Sequence, residues 1–174
     1  MTSDEPVVLD DSVQPLHLSS VEPRLEFVLQ SRVLAGPALT MGTVGGGMGQ
    51  RRMMPILGGD FEGPRLRGRI LPGGGDWPLI RPDGVGLTEA RYTYETDDGV
   101  LINITNTGYR HATSEVLARL DAKSEVVDAG DYYLRQWSRF EAPDGKYEWM
   151  SRHVFIGIAE RHPKVLFIRY FMLH

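Results

Sequence analysis

Gly73-Gly74-Gly75-Asp76-Trp77 places a carboxylate and an indole directly behind a flexible glycine turn. At the mouth of an apolar cavity, burial disfavours the charged carboxylate and raises its pKa toward the range useful to a general base. Asp76 is therefore a candidate base or hydrogen-bond anchor; the competing reading is an Asx-turn that pins its own loop. Arg91 and Arg135 each interrupt a strand-like run. An inward arginine is costly there unless it meets an anion, so both are candidates for binding a carboxylate or enolate oxygen. Outward arginines, or ion pairs to Glu95 or Glu141, are the alternative. Tyr133 lies two residues before Arg135 and shares its strand face, where the phenol can donate a proton or simply line a wall. Trp77, Trp137, Trp149 and Tyr147 offer a stacking surface for an aromatic ligand or ordinary core packing.

Other chemistries lack their residues. The five histidines, His17, His111, His153, His162 and His174, are scattered without the i, i+4 or carboxylate-clustered spacing of a metal site. No intrinsic metal and no cofactor are expected. The glycine-rich GTVGGGMGQRR lacks the Gly-Lys-Ser/Thr ending of a phosphate loop and reads as a lid or hairpin loop. No nucleophile-elbow serine is present. The chain has no cysteine, which removes disulfides, thiolate zinc sites and cysteine nucleophiles.

The elements that must carry these residues are mainly β-strands. Leu25, Phe27 and Leu29 alternate with Glu26, Val28 and Gln30 as in a half-buried strand. Between Ala35 and Gly75, glycine and proline leave room for short strands such as Arg52 to Leu57 and Arg65 to Leu71. ARYTYETDDGVLINITNTG predicts a hairpin turning at Asp98-Gly99 through a type I′ turn. Ser114 to about Val127 is the one convincing helix, and DYYLRQWSRFEA, SRHVFIGIAE and KVLFIRYFML read as three further strands. Seven to nine strands with a single helix suit a closed antiparallel barrel, which removes exposed edges. Residues 1–22 show no sustained period and read as an arm or loose lid, ahead of a barrel domain over residues 23–174.

At 174 residues the chain suits one domain with its own core. Its net charge of −4 is spread along the chain, so nucleic acid is not an expected partner. No apolar run approaches the ~20 residues of a membrane span, and the acidic start lacks signal-peptide blocks. A cytoplasmic protein without membrane partners is the expectation.

Together, GGDFEGPRLRGRILPGGGDW, ARYTYETDDGVL, YYLRQWSRFEAPDGKYEWM and the glycine of HVFIGIAER resemble domain-of-unknown-function family 3237, over about Arg24 to Leu173. The resemblance implies a calycin-like or lipocalin-like β-barrel and no assigned reaction. Ser151 departs from the asparagine expected after the Tyr-x-Trp pair. Three functions remain open. One is a cofactor-free isomerase, cyclase, hydratase or lyase acting on an apolar or aromatic carbonyl compound through Asp76, Arg91, Tyr133 and Arg135. Another is a carrier of a hydrophobic metabolite, and the third is an interaction domain that forms a homodimer through an outer sheet face. Ionisable side chains inside strands favour the first.

Overall fold

The structure, a computed structural model, describes residues 22–174. The expected arm lies outside the described residues apart from Glu22. The strands are β1 (Leu25–Ala35), β2 (Leu39–Val44), β3 (Gly49–Glu62), β4 (Arg67–Ile70), β5 (Gly75–Asp76), β6 (Leu79–Ile80), β7 (Gly86–Thr96) and β8 (Leu101–His111). Helix α1 (Ser114–Ala122) follows, then β9 (Tyr133–Glu141), a 3₁₀ turn at Glu148–Arg152, β10 (Phe155–Arg161) and β11 (Leu166–Leu173). The antiparallel sheet runs β1, β11, β10, β9, β8, β7, then reaches β3 through the short β4, β5 and β6; pairing of β3 with β1 closes it. Counting β4 to β6 as one stave, this is a closed eight-stranded barrel, with β2 hanging on β3 as a hairpin.

Alternation decides what enters the barrel. Along β7 the side chains of Thr88, Ala90, Tyr92, Tyr94 and Thr96 are buried while Glu89 and Arg91 are exposed. One half of the interior is solid: Phe61 stacks on Tyr94 at 4.4 Å, and Phe140 meets Phe155 and Tyr170 edge-on. Each such ring contributes about 1.5–3 kcal/mol by leaving water. No helix among the described residues is long and apolar enough to cross a membrane.

Local chemistry changes four sequence expectations. In β1 a bulge between Phe27 and Leu29 breaks the simple alternation, so Val28 and Leu29 are both buried and Leu25 and Phe27 are left outside. Of the two short strands expected in the glycine-punctuated stretch, the second is present as β4, while the first extends into the long β3, Gly49–Glu62, because Gly59 lets the β1 backbone approach. A Cβ at Gly59 would lie 2.0 Å from the Arg32 carbonyl oxygen, and its φ is 141°. The hairpin turn is not type I′, since Asp98 does not take positive φ. Gly99 N donates to Thr96 O and Thr96 N to Val100 O, the pattern of a three-residue loop with glycine in the left-handed position. Lys146 and Tyr147 donate to the Asp98 carboxylate, and the lysine hydrogen bond above all holds that carboxyl well below its usual range. Finally, α1 ends at Ala122 and not near Val127, because Lys123 turns left-handed (φ 53°). Thr113 caps its other end by accepting from Val116 N.

Candidate functional site

The other half of the barrel holds a cavity of about 230 Å³. The inward positions of β7, β8, β9 and β11 supply Thr88, Tyr92, Asn106, Arg110, Leu134, Gln136 and Ile168, and β3 adds Arg52, Met54 and Ile56. The end of α1 with its cap brings Asp121 and Lys123, and the β10–β11 turn brings Arg161 to Leu166. The floor is a buried polar knot. Asn106 Nδ2 donates to the phenolic oxygens of Tyr92 and Tyr170, each at 3.0 Å, and Ser138 Oγ donates to Asn106 Oδ1 at 2.6 Å. The two phenols lie 3.2 Å apart, and burial pushes both above the ordinary tyrosine pKa. They are fixed hydrogen-bonding groups, not bases.

Asp76 borders this cavity. The two-residue β5 wedges it between β3 and β7, opposite Met54 and Ala90. Its Oδ1 accepts from the Glu89 amide at 3.1 Å. Burial pushes its carboxyl above the ordinary aspartate value, while the Glu89 amide and the positive charges of Arg161 and Arg110 pull the other way. Across the cavity, Arg110 pairs with Asp121 at 2.9 Å and Arg52 approaches the same carboxylate at 3.5 Å. Burial works against ionisation of Asp121, but the two arginines outweigh it and hold the group below its usual value. Burial, then the like charge of Arg110, lowers the pKa of Arg161. A carboxylate of raised pKa facing guanidinium groups is an arrangement that can take a proton from a substrate and stabilise the resulting anion. Among the described residues no cluster of three His, Asp or Glu side chains is placed to hold a metal.

The structure does not bring Arg91, Tyr133 or Arg135 to Asp76. Arg91 faces outward on β7, with its side chain 67% exposed, 3.7 Å from Glu141 and hydrogen-bonded to Asn103. Tyr133 and Arg135 lie on the outer face of β9, where Tyr133 stacks on His111 at 4.8 Å and the Arg135 guanidinium sits 5.3 Å from the Tyr133 ring. The cause is strand parity: Leu134, Gln136, Ser138 and Phe140 are the buried set of β9. Trp77 does not line the cavity; its amide donates to Glu89 O and its carbonyl accepts from Arg51. Tyr147 is buried in the core and bonds to Asp98, and Trp149 packs under Arg65, whose guanidinium carbon is 3.8 Å from the ring centroid. Ser151 ties a loop, accepting from Ala142 N and donating to Ala142 O.

Sequence reasoning missed Arg52, Arg110, Arg161, Asn106 and Gln136. Parity could have found Arg110: it lies two-residue steps from Ile102 and Ile104, the apolar positions of β8. Arg161 sits at a strand end, where parity carries least weight.

Residues 23–173 match the family described as protein of unknown function (DUF3237). A UPF0311 protein of Rhodopseudomonas palustris is 38% identical over 143 residues, which cover 82% of this chain and 90% of that protein. A conserved protein of unknown function from Rhodopseudomonas palustris has a crystal structure with TM-score 0.82 and 32% identity, covering 89% of this chain and all of the other (100%). A β-barrel-like protein from Acinetobacter baumannii matches with TM-score 0.77 and 37% identity, over 88% of this chain and 98% of that one. An enzyme from Penicillium herquei shares the fold at TM-score 0.65 and 20% identity, over 88% and 96% of the two chains.

Proposed function

The chain belongs to the DUF3237 family of proteins of unknown function, a membership that fixes a barrel and no reaction, and we propose from its cavity that it is a cofactor-free acid/base enzyme. The observation that carries this reading is Asp76: a carboxylate in a cavity, raised in pKa by burial, with Arg161 and Arg110 near enough to act on its charge. An apolar wall of Val33, Ile56, Leu134 and Ile168 would seat the body of a carbonyl compound. Asp76 takes a proton from the carbon next to the carbonyl. The electron pair passes to the carbonyl oxygen, and the guanidinium groups stabilise the enolate. Return of the proton to a different carbon is an isomerisation; attack on or loss of a neighbouring group gives cyclisation or elimination. A protein of similar fold from Penicillium herquei is described as an enzyme.

The test is turnover and affinity of Asp76→Asn on a compound found to be converted by the parent chain. Loss of a general base lowers the rate by about 10²–10⁴-fold while the amide keeps the shape of the site. Unchanged turnover removes Asp76 from the chemistry. A ligand that binds the parent tightly and is never converted favours the carrier reading, for which the apolar wall alone suffices.

A further inference from the structure

The polar groups of the cavity do not satisfy one another. Three buried side-chain atoms lack a hydrogen-bond partner among the described residues: Arg52 Nε, Thr88 Oγ1 and Gln136 Oε1. All three belong to residues lining this cavity. Thr88 and Gln136 are 8% and 5% exposed, so bulk solvent does not serve them. Native structures pair nearly all such atoms, and an orphan of this kind is costly until something enters to meet it. All three belong to residues around one space, and although each atom is closed off from it as placed, a turn of the Gln136 amide presents Oε1 to an occupant with polar groups at defined places.

Charge says which groups. Arg52, Arg110, Lys123, Arg161 and Lys164 line the space. Against them stand two carboxylates, Asp76 and Asp121. Asp121 is taken by Arg110 and Arg52. Arg161 forms no ion pair with any described residue, although burial and Arg110 both work against its charge. Burial, and then the like charge of Arg161, works against the charge of Lys123, which lines the same space. Arg110 alone of these cations is buried, and Arg52, Lys123 and Arg161 are partly so; water can fill a polar corner, but it does not neutralise a surplus of positive charge drawn together at one half-buried edge.

We propose that the cavity takes an organic acid. Its anionic oxygen sits on Arg161 beside Arg110 and Lys123, its apolar body lies along Leu134 and Ile168, and a hydroxyl on that body donates to Gln136 Oε1. Planar, forked guanidinium groups suit a carboxylate or an ionised enol, and the apolar wall selects a flat or compact skeleton. The cavity, about 230 Å³, exceeds the ~150 Å³ apolar cavity that admits benzene. The proposal rests on the reading of this cavity as the reactive site, but it concerns binding and not proton transfer.

Calorimetric titration of the full chain with 6-hydroxy-2-naphthoic acid, 6-hydroxy-2-naphthamide and 2-naphthoic acid tests it at neutral pH. The expected result is an acid-over-amide preference of about tenfold or more. A further several-fold loss follows when the hydroxyl is absent. Arg161→Met abolishes the preference for acid over amide, Arg161→Lys retains part of it, and Gln136→Met removes only the preference for the hydroxyl. Melting curves confirm that each variant is folded, and the lysine variant carries the test if the methionine one is not. Equal binding of acid and amide overturns the proposal, as does a preference that survives in Arg161→Met or no binding by the acids at millimolar concentration. Asp76→Asn is titrated in parallel. If it binds the acid normally, a later failure to find proton transfer counts against the catalytic reading alone.

Discussion

Asn106→Ala is the sharpest test of how the cavity floor is built. Asn106 is fully buried on β8 and joins three strands: it donates to Tyr92 on β7 and Tyr170 on β11, and accepts from Ser138 on β9. Truncation removes two neutral hydrogen bonds, worth about 0.5–1.5 kcal/mol each, and orphans the Ser138 hydroxyl at a cost of about 1–3 kcal/mol. The sum is roughly 2–6 kcal/mol. The phenols keep each other at 3.2 Å, and water entering from the adjoining cavity can replace part of what is lost, which sets the expected value near the lower end. Because a domain of this size holds only about 5–15 kcal/mol in total, the loss is large. Urea unfolding at pH 7 followed by tyrosine and tryptophan signals reads it. The double variant with Ser138→Ala supplies the control: once the hydroxyl is gone, Asn106→Ala should cost about 1 kcal/mol less than in the parent chain. A loss under about 1 kcal/mol for the single variant, or strict additivity in the double one, refutes the claim that this network is energetically closed.

Two further outcomes follow from the geometry. The folded-state pKa of Asp76 is raised, so its contribution to stability is intact below the unfolded aspartate value near 3.9 and is lost as pH climbs toward the folded value. Asp76→Asn should therefore gain stability over the parent as pH rises from about 3 to 7, and urea midpoints that differ by a constant amount across that range contradict it. Gly59→Ala should lose about 1–3 kcal/mol or more, since the new Cβ meets the Arg32 carbonyl and φ is 141°; a thermal midpoint within a degree or two of the parent's would show that β1 and β3 can separate locally at no cost.

The barrel was legible because strand signals are local. DYYLRQWSRFEA, SRHVFIGIAE and KVLFIRYFML became β9, β10 and β11, the first two ended just before Pro143 and Pro163, which cannot donate to the ladder. The hairpin and the single helix were equally plain. Details that depend on two strands meeting were not. The bulge in β1 arises where its pairing with β11 shifts, and the continuity of β3 through Gly58-Gly59 depends on the approach of β1. Neither is written in the segment itself.

Arg91, Tyr133 and Arg135 fall outside the cavity that Asp76 borders for a related reason, which follows from the pleat. A slip of one residue exchanges the two faces of a strand, so identifying inward residues requires knowing which alternate set is apolar enough to be the core. On β9 that rule misleads: the outward set contains Tyr133 and Trp137, the inward set Gln136 and Ser138. Aromatics can stand outside because they pair across strands, Tyr133 with His111 and Trp137 with Tyr109. Small polar groups can stand inside because Asn106 waits on the next strand to receive Ser138. The neighbouring strand resolves the ambiguity, since the inward set of β8 runs Ile102, Ile104, Asn106, Gly108 and Arg110, and Asn106 is registered opposite Ser138. Read as a pair, the two strands place Gln136 and Arg110 on the same interior surface and exclude Arg135. In a barrel the unit from which a candidate site can be inferred is thus the registered strand pair, and the candidates are the inward polar residues, such as Gln136, that the pair itself leaves without a partner.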